Sequence, residues 1–103
     1  MGWATKSIEK LNRGDSVIIC PKGNSMKGKI ESGTLVKVNP ITSETKIIVG
    51  DIVLCKVHWS EYLHLVKAIR PDGTYQIANN RGHINGWIGK NNIFGIFAGF
   101  VKK

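Results

Sequence analysis

Ser25 stands in a tight, glycine-flanked turn, Gly23-Asn24-Ser25-Met26-Lys27-Gly28. A short apolar run (Val17 to Cys20) precedes it and a valine-rich one (Leu35 to Val38) follows. A serine hydroxyl acts as a nucleophile when it is exposed, held in one orientation and paired with a base. The turn fits the first two conditions, and His64 offers an imidazole for the third. The chemistry open to such a pair is acyl transfer.

The elements that must hold these residues are mostly β. Thr5 to Asn12 reads as one short N-terminal helix, with Ile8 and Leu11 on one face and Gly14 past its end. Beyond it, short runs rich in Val, Ile and Leu alternate with turn chemistry, as in an all-β barrel or sandwich. The turn markers are Pro21-Lys22-Gly23, Ser32-Gly33, Asn39-Pro40, Val49-Gly50-Asp51, Pro71-Asp72-Gly73, Asn80-Arg81-Gly82 and Asn85-Gly86. Pro-Asp-Gly joins a strand over 62–69 to one over 74–78 as a hairpin. Strand periodicity then sets Tyr62, His64, Val66 and Ala68 on one face, with Leu63, Leu65, Lys67 and Ile69 on the other. Both faces are largely apolar, so this arm is expected to be buried on both sides, with His64 held in place.

A chain of 103 residues supports one core, and residues 1–103 are expected to form a single domain. No apolar stretch approaches the ~20 residues of a membrane-spanning helix, and the first residues lack the order of a secretory signal. The expectation is a soluble, cytoplasmic protein that does not bind a membrane. Cys20 and Cys55 both lie among apolar residues and read as buried, unpaired core thiols. Fifteen Lys and Arg against seven Asp and Glu give a net charge of +8, which favours an acidic protein or nucleic-acid partner. The positive residues are dispersed, and the densest group, Lys22, Lys27 and Lys29, brackets Ser25.

Other residue patterns are open to two readings. Asn79-Asn80-Arg81-Gly82 and Asn85-Gly86-Trp87 fit two tight turns, since Asn and Gly tolerate positive φ. They also fit a binding rim, with Arg81 and Trp87 as anchors alongside the three lysines. Cys55 and His58 have ligand-like spacing, but no second pair completes a four-ligand metal site, so no metal and no cofactor are expected. Phe94, Phe97 and Phe100 repeat at helical spacing, yet Gly95 and Gly99 argue for a closing strand instead.

Four blocks in order carry a family resemblance: Gly23-Asn24-Ser25-Met26, then Ile30-Glu31-Ser32-Gly33-Thr34-Leu35-Val36, then Val49-Gly50-Asp51-Ile52-Val53, then Tyr62 to Ile69. In this order the chain resembles the serine-peptidase domain shared by signal peptidases and LexA-type repressors. The base position reads His64-Leu65-Val66, similar to the histidine type of that family rather than the lysine type. Lys67 falls on the opposite strand face. The resemblance implies a small coiled β-barrel or β-ribbon fold and a Ser25–His64 dyad that hydrolyses peptide bonds. It also implies an extended peptide or protein substrate that pairs with a strand edge. The Ser25 N–H and the Asn24 amide become oxyanion candidates, and Lys22, Lys27 and Lys29 would lower the pKa of the base wherever they approach it.

The chain departs from the family pattern in two places. Histidine-type enzymes carry a downstream aspartate that orients the histidine, whereas the only acidic residue after His64 is Asp72, in the hairpin turn. Asn79, Asn80 or Asn85 is left to orient the ring. Gly28 stands where family members often have proline. Two functions follow: a small serine peptidase using Ser25 and His64, or a catalytically silent module of that fold that binds an acidic protein or nucleic acid.

Overall fold

A computed structural model describes residues 2–101; Met1, Lys102 and Lys103 of the expected 1–103 domain lie outside the described residues. The chain runs α1 (Thr5–Asn12), β1 (Val17–Ile19), β2 (Val36–Pro40), β3 (Ile52–Val57), β4 (Ser60–Ile69), β5 (Thr74–Ala78), β6 (Ile84–Gly89) and β7 (Ile93–Phe100), with a 3-10 turn at Lys90–Asn92. The strands form one antiparallel seven-stranded sheet in the order β1-β2-β7-β3-β4-β5-β6. Strand β7, which carries the three phenylalanines, therefore lies inside the sheet and links its two halves.

Helix α1 buries Ile8 and Leu11, the two apolar residues that its periodicity places on one face. It stops at Arg13, and Gly14 takes φ +92° while its N–H donates to Leu11 O at 3.0 Å. Its first turn has no local side-chain cap, because the N-cap residue is Ala4. Glu61 supplies the cap from across the fold. The Ala4 N–H donates to Glu61 Oε1 at 2.7 Å, and the Thr5 hydroxyl donates to Oε2 at 2.9 Å. The carboxylate thus satisfies an orphan helix donor and sits at the positive end of the helix dipole.

Two hydrophobic cores form, fed by opposite faces of the central strands. Ile52 and Leu54 of β3, with Leu63 and Leu65 of β4, join Ile8, Leu11, Val36, Val38, Met26 and Ile30. Val53, Cys55 and Val57 of β3, with Val66, Ile77 and Ile88, form the second. This is why β3 is a continuous apolar run rather than an alternating one. Burying a side chain such as Leu54 or Ile77 contributes about 1.5–3 kcal/mol.

Strands β3 and β4 meet in a two-residue turn with positive φ at both His58 (49°) and Trp59 (73°), as a hairpin of this length requires. Trp59 is 95% exposed at its tip. The Pro71-Asp72-Gly73 hairpin forms where the sequence places it, with Gly73 at φ +86° and Asp72 Oδ1 accepting from the Thr74 N–H at 3.0 Å.

Register shifts occur in the β2–β7, β3–β7, β4–β5 and β5–β6 pairs. Such bulges bend strands and increase sheet twist. Here they carry β6 back over the end of β3, although the two are not sheet neighbours. A Cβ on Gly86 would lie 3.2 Å from Val57 Cγ1.

Several sequence expectations need correction. Asn39-Pro40 does not turn the chain but ends β2, with Pro40 opposite Gly95. Asn85-Gly86-Trp87 is likewise no turn. It lies within β6, where Ile77 pairs with Gly86 and Ala78 with Ile84, leaving Asn85 as the extra residue of a bulge. Positive φ tolerance serves bulges as well as turns, so composition did not separate the two. In β4, burial on both faces holds from Leu63 to Val66, but Lys67 is bulged out and Lys67 and Ile69 are exposed. Cys55 is a core residue, whereas Cys20 is half-buried.

Candidate functional site

The Ser25 turn is built by burial at two points and by hydrogen bonds across its neck. Met26 and Ile30 insert into the first core. The Ile30 N–H donates to Met26 O at 2.7 Å and the Gly33 N–H to Pro21 O at 2.9 Å. The Gly23 N–H donates to Ser32 Oγ at 3.0 Å, and the Gly28 N–H to Glu31 Oε2 at 2.9 Å. Gly28 has φ +97°, which proline cannot adopt. That conformation accounts for glycine at this point of the turn.

The β5–β6 loop clamps the turn from outside. The Asn80 N–H donates to Ser25 O at 2.8 Å, and Asn80 Nδ2 donates to Lys27 O at 2.8 Å. The loop is itself fixed by Asn79, whose Oδ1 accepts from the N–H groups of Arg81 and His83, both at 2.9 Å.

His64 projects from the middle of β4 and is only 5% exposed. Its Nε2 lies 3.2 Å from Ser25 Oγ, and its Nδ1 lies 2.7 Å from Asn85 Oδ1. An amide oxygen only accepts, so Nδ1 carries the proton and donates to Asn85. Nε2 is then left with its lone pair, facing the Ser25 hydroxyl. The Tyr62 ring, two residues earlier on the same face, packs against the imidazole with centroids 4.7 Å apart. Burial, chiefly, lowers the His64 pKa from its ordinary 6.5; the Asn85 bond raises it in part, and the nearby His83 adds a further lowering.

A groove of about 690 Å³ opens over this pair. Its apolar wall includes Trp3, Cys20, Met26, Ile30 and Leu63, and its polar wall includes Glu61, Asn79, His83 and Asn85. The volume is within the range of small-molecule and peptide sites. Among the described residues, the Ser25 N–H takes no backbone acceptor.

The expected site residues thus separate into two sets. Ser25, His64, Asn79 and Asn85 line the groove, as does Lys22. Asn80 touches the site only through the turn backbone. Asn24 is exposed and does not line the groove. Lys27, Lys29 and Arg81 are exposed outside the groove lining. Trp87 does not line the groove, and the Arg70 guanidinium lies 3.7 Å above its ring. The lysines are not what depresses the His64 pKa; burial and His83 do so.

Trp3, Cys20, Glu61, Tyr62 and His83 line the groove although the sequence reading named none of them as a site residue. For His83 the signal was its place between Asn79 and Asn85, the segment in which the residue orienting the base was expected. Cys55 and His58 are separated by burial, the first wholly buried and the second exposed at the hairpin tip. Among the described residues there is no cluster of metal-ligating side chains and no helix long and apolar enough to cross a membrane. No protein-family model matches the chain, and no curated protein matches it.

Proposed function

We propose that this protein is a serine peptidase in which Ser25 is the nucleophile, His64 the general base and Asn85 the residue that orients the base. The observation that carries the reading is the continuous chain Ser25 Oγ, His64 Nε2, His64 Nδ1, Asn85 Oδ1, with separations of 3.2 Å and 2.7 Å at its two hydrogen bonds. The fold that goes with it is the coiled β domain of the signal-peptidase and LexA type, and the bulged sheet that returns β6 onto β3 supports that assignment.

In this mechanism Ser25 Oγ attacks the scissile carbonyl carbon as its proton passes to His64 Nε2. The tetrahedral oxyanion accepts from the Ser25 N–H. The imidazolium returns its proton to the leaving amine as the C–N bond breaks, leaving an acyl-serine. Water, deprotonated by the same nitrogen, then releases the acid. Asn85 holds the tautomer throughout but contributes no negative charge. Acylation is therefore expected to be slower than in enzymes with a carboxylate behind the histidine.

A fluorophosphonate probe tests the reading. Labelling of the wild type that disappears in Ser25→Ala and falls strongly in His64→Gln supports it. No labelling between about pH 5 and pH 9, a range spanning the ordinary histidine pKa, sinks it and leaves the groove as a peptide-binding site without chemistry.

A further inference from the structure

We infer that Trp3, held by Glu61, forms an end wall of the groove and selects substrates with a bulky apolar side chain about 10 Å along β4 from His64. This rests on the peptidase reading of the same groove. The N-terminal segment is fastened to β4 at several points. The Trp3 indole N–H donates to Glu61 O at 2.9 Å, and the Ala4 N–H and Thr5 hydroxyl take the Glu61 carboxylate. A Cβ on Gly2 would overlap the Glu61 side chain, which would have to shift out of its bonds to α1 to admit it. Glu61 is 6% exposed.

The chemistry of selection follows from what remains free on Trp3. Its one polar group is already bonded, yet the residue is 54% exposed and lines the groove. The indole face is what it offers a ligand, and an indole face favours aromatic or branched aliphatic groups. Both carboxylate oxygens of Glu61 are engaged by α1, so Glu61 works as a fastening rather than as a receptor for a basic side chain. Distance follows from the strand. Glu61 precedes His64 by three residues of β4, a span of about 10 Å at roughly 3.4 Å per residue.

The test uses peptides that differ only at this position, carrying Ala, Lys, cyclohexylalanine or Phe. They are titrated against Ser25→Ala protein by calorimetry and supplied to the wild type for turnover. The bulky apolar peptides should be preferred over the Ala peptide by about tenfold in both assays, the lower end for a single apolar pocket. Trp3→Ala should remove that preference. A preference that survives Trp3→Ala overturns the inference while leaving the peptidase reading intact. So does a preference for Lys, whereas failure of every peptide to bind overturns the inference and leaves the peptidase reading to be decided by the phosphonate probe. Binding without turnover would separate the two, supporting the wall and rejecting the catalysis. Should Trp3→Ala fail to fold, a Trp59→Phe, Trp87→Phe variant leaves Trp3 as the sole tryptophan, excited apart from Tyr62 and Tyr75 at the red edge of indole absorption. Its emission should shift to the blue on adding the cyclohexylalanine peptide, and an unmoved spectrum overturns the proposal.

Discussion

His64 Nδ1 donates to Asn85 Oδ1 across 2.7 Å, and Asn85 reaches it because it is the bulged residue of β6. The bond fixes the tautomer but leaves the imidazolium of the mechanism without a counter-charge. Asn85→Asp should therefore speed acylation, measured as the rate of phosphonate labelling, by at least about tenfold. The ceiling is about 10⁴, the effect of the opposite exchange in a serine protease. The carboxylate should also raise the His64 pKa and move the acid limb of the profile upward. A slower Asn85→Asp enzyme with an unmoved limb would contradict Asn85 as the orienting residue.

The same burial that holds His64 makes its environment oppose protonation. Its pKa is lowered from 6.5, and the base is active when neutral, so the acid limb of activity should lie below about pH 6.5 with a plateau by pH 7. Stability should carry the same sign. With the folded pKa below the unfolded one, the unfolded chain binds more protons, so stability is full above the unfolded pKa and falls as pH drops through the folded one. His83, Tyr62, Glu61 and Lys22 also line this groove, so the check is a difference. Thermal melts between about pH 4.5 and 7.5, bracketing that pKa, should show a shallower acid decline in His64→Gln than in the wild type.

Asn80 donates to Ser25 O and Lys27 O without touching the reacting atoms. Asn80→Ala removes the side-chain bond, worth about 1 kcal/mol, and frees the turn that aims Oγ. A positioning role predicts a fall in kcat of about tenfold with KM little changed, whereas a loss of general stability alone would lower the melting point and leave kcat per folded molecule as it was. Gly28→Ala should act in the same direction, because its Cβ would stand 3.1 Å from Asn80 Nδ2 at φ +97°.

Much of the frame was legible in the sequence. Helix α1 followed from Ile8, Leu11 and Gly14, and the β4–β5 hairpin from Pro71-Asp72-Gly73. What decides among Asn79, Asn80 and Asn85 was not legible, because it depends on where β5 and β6 slip register. That slip is set by packing of β6 over Val57 and His58, which are distant in sequence. The Glu61 cap of α1 was invisible for a similar reason, since capping signals are local and this cap is not. Cys20 misled because it continues an apolar run, yet the chain leaves β1 at that point and opens into the groove.

The two thiols should therefore separate chemically. Burial pushes the Cys55 pKa up to about 12 and leaves it no solvent exposure. A thiolate is the reactive form, so Cys55 should resist iodoacetamide until the protein unfolds. Cys20 should react in the native state, and a peptide in the groove should protect it. Mass spectrometry of the native digest gives the result, and equal labelling of both residues would show that the second core opens more readily than its packing implies.

Gly86 gives the most direct test of how the fold sets the base. It follows Asn85 in β6 with φ +148°, and an added Cβ would stand 3.2 Å from Val57 Cγ1 and 3.3 Å from His58 Nε2. Both atoms belong to side chains at the end of the β3–β4 hairpin; the exposed His58 ring can turn aside, whereas Val57 is buried in the second core and has little room to retreat. Gly86→Ala should therefore displace the bulge rather than the hairpin, at a cost of about 1–3 kcal/mol. Asn85 moves with the bulge, so the Nδ1–H tautomer of His64 loses its partner. Nitrogen NMR of the His64 ring should change from a single tautomer toward a mixture, and phosphonate labelling should slow in parallel. A Gly86→Ala protein that melts lower but keeps the pure tautomer would show that Asn85 is held by something other than the hairpin contact.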